Sequence, residues 1–362
     1  MVEQREVPDG YHVHVNGGGL VEDTAHVEDT VYIGPDARVF GNARLCGDVI
    51  VYEYVEVGGD AEVFDNAQIY GNVKVFGNAK VLDNAVVFGE ARVFGNARLS
   101  GNVKVSGNVK VYGNAEVSGN AQIYGEARVF GNVKVLDSAR VSDNAVVFGY
   151  AKVSGNAEVY GEARVFGEAR VFGDSEVFEN AQVYGNAEVC DTSQIHGDAK
   201  VCDTAQIYGH AKVYGHARVS GNALVSGNAV VSDYAEVSGN AEVYGNAKIH
   251  GNAQIYGYVE VCGYARVSGN AKIHGNVKVY GNSQVSGTAK VSGIERSDGY
   301  TFIYVTCSDG VMRVIAGCRY FTMEEAYAHW ESTRGGTKLG EETIGILESL
   351  KVLSKLRPEG CV

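Results

Sequence analysis

The chain has 362 residues and a formal net charge of −13, with 48 glycines against only three prolines. So much glycine without proline points to a regular backbone with many turns, not to a disordered Pro/Gly-rich tract, and the acidic balance weighs against general nucleic-acid binding. No apolar run approaches the roughly 18 residues of a membrane-spanning helix, so none is expected.

Residues 1–14 carry charge and no apolar stretch, so they read as an N-terminal segment or cap and not as a secretory signal. Seven cysteines, an odd number scattered along the chain, suit free thiols in a reducing cytoplasm better than a disulfide framework.

From Val15 onward the pattern is a repeat. Aliphatic residues stand at every sixth position, from Val15, Val21, Val27 and Ile33 through Val39 and Leu45 to Val279, Val285 and Val291, without insertion or deletion. We call the aliphatic position i. Two residues earlier sits a small residue (Ala37, Ala43, Val49), and strand alternation turns i−2 and i to the same side. The residue between them is usually Arg, Lys, Glu or Gln and faces water. A strand of three or four residues is expected, followed by a Gly-Asn corner in which both residues favour the left-handed backbone conformation. Strands this short bury little in a flat sheet. Coiled three to a turn, they enclose a narrow core of Val and Ala. The expectation over 15–294 is therefore an all-β parallel β-helix of about 15–16 coils of about 18 residues, each coil depending on its neighbours.

After Gly293 the register stops, and 295–362 reads as a small α+β domain. Residues 300–306 and 311–316 form a predicted hairpin through Cys307–Gly310. Thr322-Met-Glu-Glu325 is a capping box opening a helix to about Trp330, and Ile344, Leu347, Leu350 and Leu353 mark a second helix over 341–356. The exposed last rung of a β-helix invites end-to-end association, so this domain is expected to cap it. Its aromatics Tyr320, Phe321, Tyr327 and Trp330 also make it a candidate docking module.

The unit Val39-Phe-Gly-Asn-Ala-Arg44 resembles the hexapeptide repeat of left-handed β-helix acyltransferases, which implies left-handedness for this chain. It departs from them in placing Gly at i+2 and usually Phe, Tyr or Ser at i+1. In this it is similar to hexapeptide-rich proteins of uncharacterised function from bacterial genomes and prophages, as is the tail Val314–Trp330. The free thiols give the expectation of a cytoplasmic protein, and the resemblance implies a phage or prophage setting, with a virion-associated location if the chain is phage-encoded.

The search for chemistry yields little. Hexapeptide acyltransferases place a general base, usually His, in a cleft between subunits, often beside an extruded loop. No loop interrupts the repeat between 15 and 291. His196, His250 and His274 fill the i+1 slot and His210 and His216 the corner slot, so they read as ordinary substitutions. Residues six apart lie on different sides of a three-sided coil, so Cys190, His196 and Cys202 do not converge on one ion. No metal or cofactor is expected. Residues 18 apart stack, which aligns Phe76, Phe94, Tyr112, Phe130, Phe148, Phe166 and Tyr184 in one i+1 column. A largely basic column (Arg38, Lys74, Arg92, Lys110, Arg128, Arg164, Lys200 and Arg218) flanks it. This surface is either a self-stabilising ladder, the favoured reading, or a binding face for a partner. The expected role is a non-enzymatic, rod-like structural or interaction protein that binds a protein partner or itself, with nucleic acid and membrane disfavoured. The alternatives are a trimeric acyltransferase with inter-subunit sites and an inhibitor of a host enzyme.

Overall fold

The computed structural model describes residues 6–281, 283–287, 290–291, 293–306, 311–316 and 319–356. It is nearly all β, a parallel β-solenoid of about 15 turns of about 18 residues with two helices near the C-terminus. The chain divides into two units, Met1–Asp191 and Thr192–Val362.

In the first unit, Tyr11–Val13 pairs antiparallel with Leu20–Glu22 and covers one side of the first coil. The loop after it covers a second side, where Gly19 N–H donates to Ile33 O at 2.8 Å and Ile33 N–H to Asn16 O at 2.9 Å. Val15, first of the hexad series, is therefore not in the core. It is 76% exposed, and the apolar column begins at Val21. Beyond this start each strand pairs in parallel with the strand 18 residues later, as Lys74 with Arg92 and Gln68 with Val86. Small and aliphatic residues fill the interior: Ala37, Val39, Ala43 and Leu45 are all 0% exposed, and so on up the unit.

Most coil strands of this unit are two residues long and several are four, as in Arg128–Gly131. They are shorter than expected, yet the axial hydrogen bonds continue through the corners. Lys74 N–H donates to Ala91 O, Phe76 N–H to Val93 O and Asn78 N–H to Gly95 O, so i−1, i+1 and i+3 each bond to the next coil. The corner itself also differs from expectation. Only i+2 is left-handed: Gly131 has φ 88°, and where glycine is replaced Asp83 and Asp137 take φ 59° and 60°. Among the described residues no Asn has positive φ. Asparagine is there for its side chain instead, since Asn78, Asn96, Asn114 and Asn132 hydrogen-bond amide to amide from coil to coil at 2.8–3.0 Å.

The second unit has the same parallel 18-residue pairing within itself, Gln194 with Lys212 and Lys200 with Arg218. Near its end Gln254–Val261 and Lys272–Val279 run straight through a corner and pair along their whole length. A four-stranded antiparallel sheet follows: Gly293–Glu295, Thr301–Thr306, Met312–Ala316 and Arg319–Thr322. Its first and last strands are additions to the expected hairpin, whose turn at Cys307–Gly310 lies outside the described residues. Helix α1, Met323–Arg334, opens on Thr322 with both halves of the capping box formed and runs one turn past Trp330. Helix α2 is Lys338–Leu356. The sheet and helices share a core of Phe302, Tyr304, Val314, Met323, Trp330 and Leu350, among others. Tyr320 Oη donates to Gln284 O at 3.4 Å and ties this module to the coils beneath it.

Candidate functional site

Outward side chains of the coil are positioned by the repeat, so a surface is a set of columns with one residue per rung. The aromatic column in the first unit forms the longest of these. Phe94, Tyr112, Phe130, Phe148, Phe166 and Tyr184 stack with centroids 4.7–5.3 Å apart and planes within 7° of parallel. Their faces are turned to one another and each ring is half-buried, so edges meet solvent. Phe76 behaves differently. It meets Phe40 across the missing side chain of Gly58, at 5.8 Å and a 50° tilt, and a Cβ on Gly58 would lie 2.4 Å from the Phe40 ring. Shorter ladders that no single hexad announces occupy a second face: Tyr52–Tyr70–Phe88 and Tyr160–Phe178.

Beside the long ladder, Lys74 is paired with Glu56 at 2.7 Å, whereas Arg92, Lys110, Arg128 and Arg164 enter no ion pair among the described residues. Val146 replaces a long side chain in this row between Arg128 and Arg164. The gap leaves an open notch of about 280 Å³ lined by Glu126, Arg128, Asn144, Val146, Glu162 and Arg164. Elsewhere cations and anions pair between rungs, as in Lys80–Glu62, Arg140–Glu158 and Arg170–Glu188.

The histidines follow the same rule of contact between coils. His196 stacks on Tyr214, His274 on Tyr256, and His216 stacks on Tyr234 with its Nδ1 3.3 Å from Asp198. His210 bonds to Thr192 Oγ1, and His250 lies 4.0 Å from Asp233. Among the described residues no three His, Cys, Asp or Glu groups come together in a way that holds a metal ion. Burial, then Asp191 and Glu188, pushes the Cys190 thiol up to about 11, far from the range of an activated nucleophile. Cys202 is buried at 1% exposure.

In the C-terminal module the four aromatic candidates have different places. Trp330 is in the core, 5% exposed, with Tyr300 and Phe302 at its edges. Phe321 packs on His329 at 5.0 Å, and burial followed by Arg319 lowers the His329 pKa. Tyr327 lies against the core beneath Lys351, and Tyr320 stays 37% exposed under Arg313. The organising residue is Arg296. It is 2% exposed, its guanidinium grips both oxygens of Asp298 at 2.8–2.9 Å and donates to Thr343 Oγ1 at 2.7 Å. Tyr300, Phe302 and Trp330 surround it at 5.0–5.6 Å. A lone arginine between a strand and a turn carries no pattern that the sequence reading could single out. The nearby alternation of Tyr300 and Phe302 is its only trace.

Parallel pairing at an 18-residue step around an aliphatic core decides the class. The chain is a hexapeptide-repeat β-solenoid. A family model, the YdcK β-solenoid repeat, matches residues 121–136 and 217–233. Comparison with curated proteins gives no match. Among solved structures the solenoid is similar to a UDP-N-acetylglucosamine O-acyltransferase from Moraxella catarrhalis, at 12% identity and TM-score 0.17, covering 57% of this chain and 71% of that one. It is also similar to a putative acetyltransferase from Desulfovibrio desulfuricans G20, at 10% identity and TM-score 0.23, covering 90% and 76%. A third is the Arabidopsis UDP-N-acetylglucosamine acyltransferase, at 13% identity and TM-score 0.19, covering 92% and 99%. No helix among the described residues is long and apolar enough to cross a membrane.

Proposed function

We propose that this solenoid is a non-enzymatic scaffold whose faces serve structural support and protein binding. The observation that carries the reading is the use of outward side chains between neighbouring coils. The rings of Phe94 to Tyr184 face one another, the amides of Asn78 to Asn132 bond in series, and cations and carboxylates pair between rungs. A catalytic surface needs a nucleophile or base held towards a substrate, with a partner that orients it. Here His196, His216 and His274 stack on tyrosines of the adjacent coil and His210 bonds to Thr192, and a flat-sided coil offers shallow ground for a small molecule.

Acyl transfer, the activity named for the three solved structures, is the competing reading. Incubating the full chain with acetyl-CoA and longer acyl-CoA thioesters, alone and with amino-sugar acceptors, separates the two. The scaffold reading expects no thermal shift and no free CoA thiol above the uncatalysed background. Saturable stabilisation by acyl-CoA, or acceptor-dependent release of CoA, overturns it.

A further inference from the structure

One face of the first unit breaks the repeat in a concerted way. At i−1, where the coil normally places Arg, Lys, Glu or Gln, three of four successive rungs of this face carry Tyr32, Ile50 and Val86, and the rung between the last two keeps an ordinary but uncharged Gln68. At i+1 the same rungs carry Gly34, Tyr52, Tyr70 and Phe88, the last three stacked at 5.0–5.1 Å. None of these outward residues is charged. Tyr32 and Ile50 are 38% and 36% exposed, and Tyr54 at the adjoining corner is 69% exposed. The next rung restores Lys104, so the strip has a sharp upper limit.

Both corners that border the strip are acidic. One carries Asp29, Asp48, Asp65 and Asp83, the other Asp36, Glu53 and Glu90, and over these rungs neither corner holds a base. All seven carboxylates are exposed, and none enters an ion pair among the described residues. An apolar strip between two anionic rails selects a partner with an apolar stripe between two cationic flanks. It also disfavours a second copy, because a two-fold contact through this face sets acid against acid.

The dimensions narrow the partner further. Four rungs span about 14 Å, the length of an α-helix of about ten residues. The rails are about 20 Å apart, which leaves a helix 10–12 Å wide with room for a lysine to reach each side. The strip is far smaller than the ~800 Å² per partner of a stable domain interface, so it suits a short segment. Addition of a β-strand is unsuitable, since Tyr32 N–H and Ile50 N–H already bond to the next coil.

We infer that the strip Tyr32–Ile50–Val86 with Tyr52–Tyr70–Phe88 docks a basic amphipathic helix of a partner protein. The inference rests on the scaffold reading and assigns one of its binding faces.

The test uses the full chain and three labelled 14-residue peptides read by fluorescence anisotropy. The first is a Leu/Lys peptide with Leu on one helical stripe and Lys on both flanks, the second a scramble of it, and the third the same stripe with Glu for Lys. Position i−1 holds Lys at other rungs, so Ile50→Lys with Val86→Lys keeps the fold, which the melting temperature verifies. Gln122→Lys, on the same face above the strip, is the control. The striped Leu/Lys peptide is expected to bind about tenfold tighter than its scramble, the apolar contribution of one buried side chain. The double variant abolishes that difference, Gln122→Lys preserves it, and the Glu peptide does not bind. Should the double variant melt early, Asp48→Asn with Glu53→Gln replaces it and is expected to weaken the striped peptide several-fold at low salt. Equal affinity for stripe and scramble, no binding at all, or an unchanged affinity in the variants overturns the assignment. A wild-type dimer in light scattering that Ile50→Lys dissolves overturns it in favour of a second copy. Each failure is distinct from failure of the scaffold reading, which is registered by CoA release.

Discussion

Tyr112 and Phe130 lie face to face, 4.8 Å between centroids and 4° from parallel, and Phe130 meets Phe148 on its other side at 5.3 Å. A ring stacked on both sides contributes through two pairs of about 0.5–1.5 kcal/mol each. Phe130→Ser is therefore expected to lower unfolding free energy by about 1–3 kcal/mol, measured by denaturant titration. Serine already occupies i+1 at Ser100 and Ser106, so the coil accepts it. A melting temperature unchanged in Phe130→Ser and Phe148→Ser, accompanied by loss of a bound partner, would make the ladder a binding surface instead.

The corner glycines give a second prediction. Gly131 has φ 88°, and a Cβ there would sit 2.8 Å from Gly149 O in the next coil. Gly275 has nearly the same φ of 90° but nothing within 4 Å of the added carbon. Gly131→Ala combines left-handed strain with overpacking, and Gly275→Ala carries the strain alone, about 1–3 kcal/mol for each contribution. Hydrogen exchange of the flanking coils should show the larger loss of protection in Gly131→Ala. Equal losses would mean that the close approach of successive corners costs nothing.

Acid should loosen the C-terminal module. The Arg296 guanidinium bonded to Asp298 holds its carboxyl at about 2, below the ordinary carboxylate range near ~3.9. Because the folded value is depressed, the pair stabilises fully above the unfolded value and its contribution fades as pH falls from about 4 towards 2. Trp330 is the single tryptophan and touches the same cage, so its emission reports the module. Asp298→Asn should reduce the pH dependence in that window, leaving the part due to Glu342, whose carboxyl the Ser297 hydrogen bonds also hold down. At neutral pH its cost falls below the ~3–5 kcal/mol of a fully buried pair, since Asp298 is 35% exposed. A Trp330 transition with the same slope in wild type and Asp298→Asn would refute the assignment.

Thiol chemistry is the fourth prediction. With its pKa pushed up to about 11, Cys190 should react with iodoacetamide at pH 8 much more slowly than an ordinary thiol, and Cys202, buried under its neighbours, more slowly still. Peptide mapping after timed quenching checks this. Rapid alkylation of Cys190 would show a thiolate that its burial, with Asp191 and Glu188 beside it, does not allow.

The coil was legible in the sequence because its energetic demands recur in register. A side chain at Val39 must be buried, one at Arg38 must not, and that contrast repeats every six residues. Side chains whose role depends on a neighbour 18 residues away were harder to read. Asn96 looks like a corner residue on its own and becomes an amide ladder only beside Asn78 and Asn114. The aromatic column was visible because seven rungs share one chemistry. The strip at Tyr32, Ile50 and Val86 escaped notice because its signal is the absence of charge in a slot, spread over three hexads per rung. The C-terminal module was half visible. Thr322 and Glu325 announced their helix through local hydrogen bonds, whereas Arg319–Thr322 is an edge strand too short to show an alternation.

From Arg92 to Tyr184 the strands pair at one constant step of 18 residues, so a rung there has no address except through its two neighbours. Excising or duplicating an 18-residue block within the stretch from Arg92 to Tyr184 leaves each surviving core residue facing another small or aliphatic one, while outward ion pairs such as Arg140–Glu158 change partners. Length thus becomes a quantity that recombination between near-identical segments can adjust without inventing a new fold. The docking strip and the Arg296 cage lie outside that stretch and would be carried along unchanged.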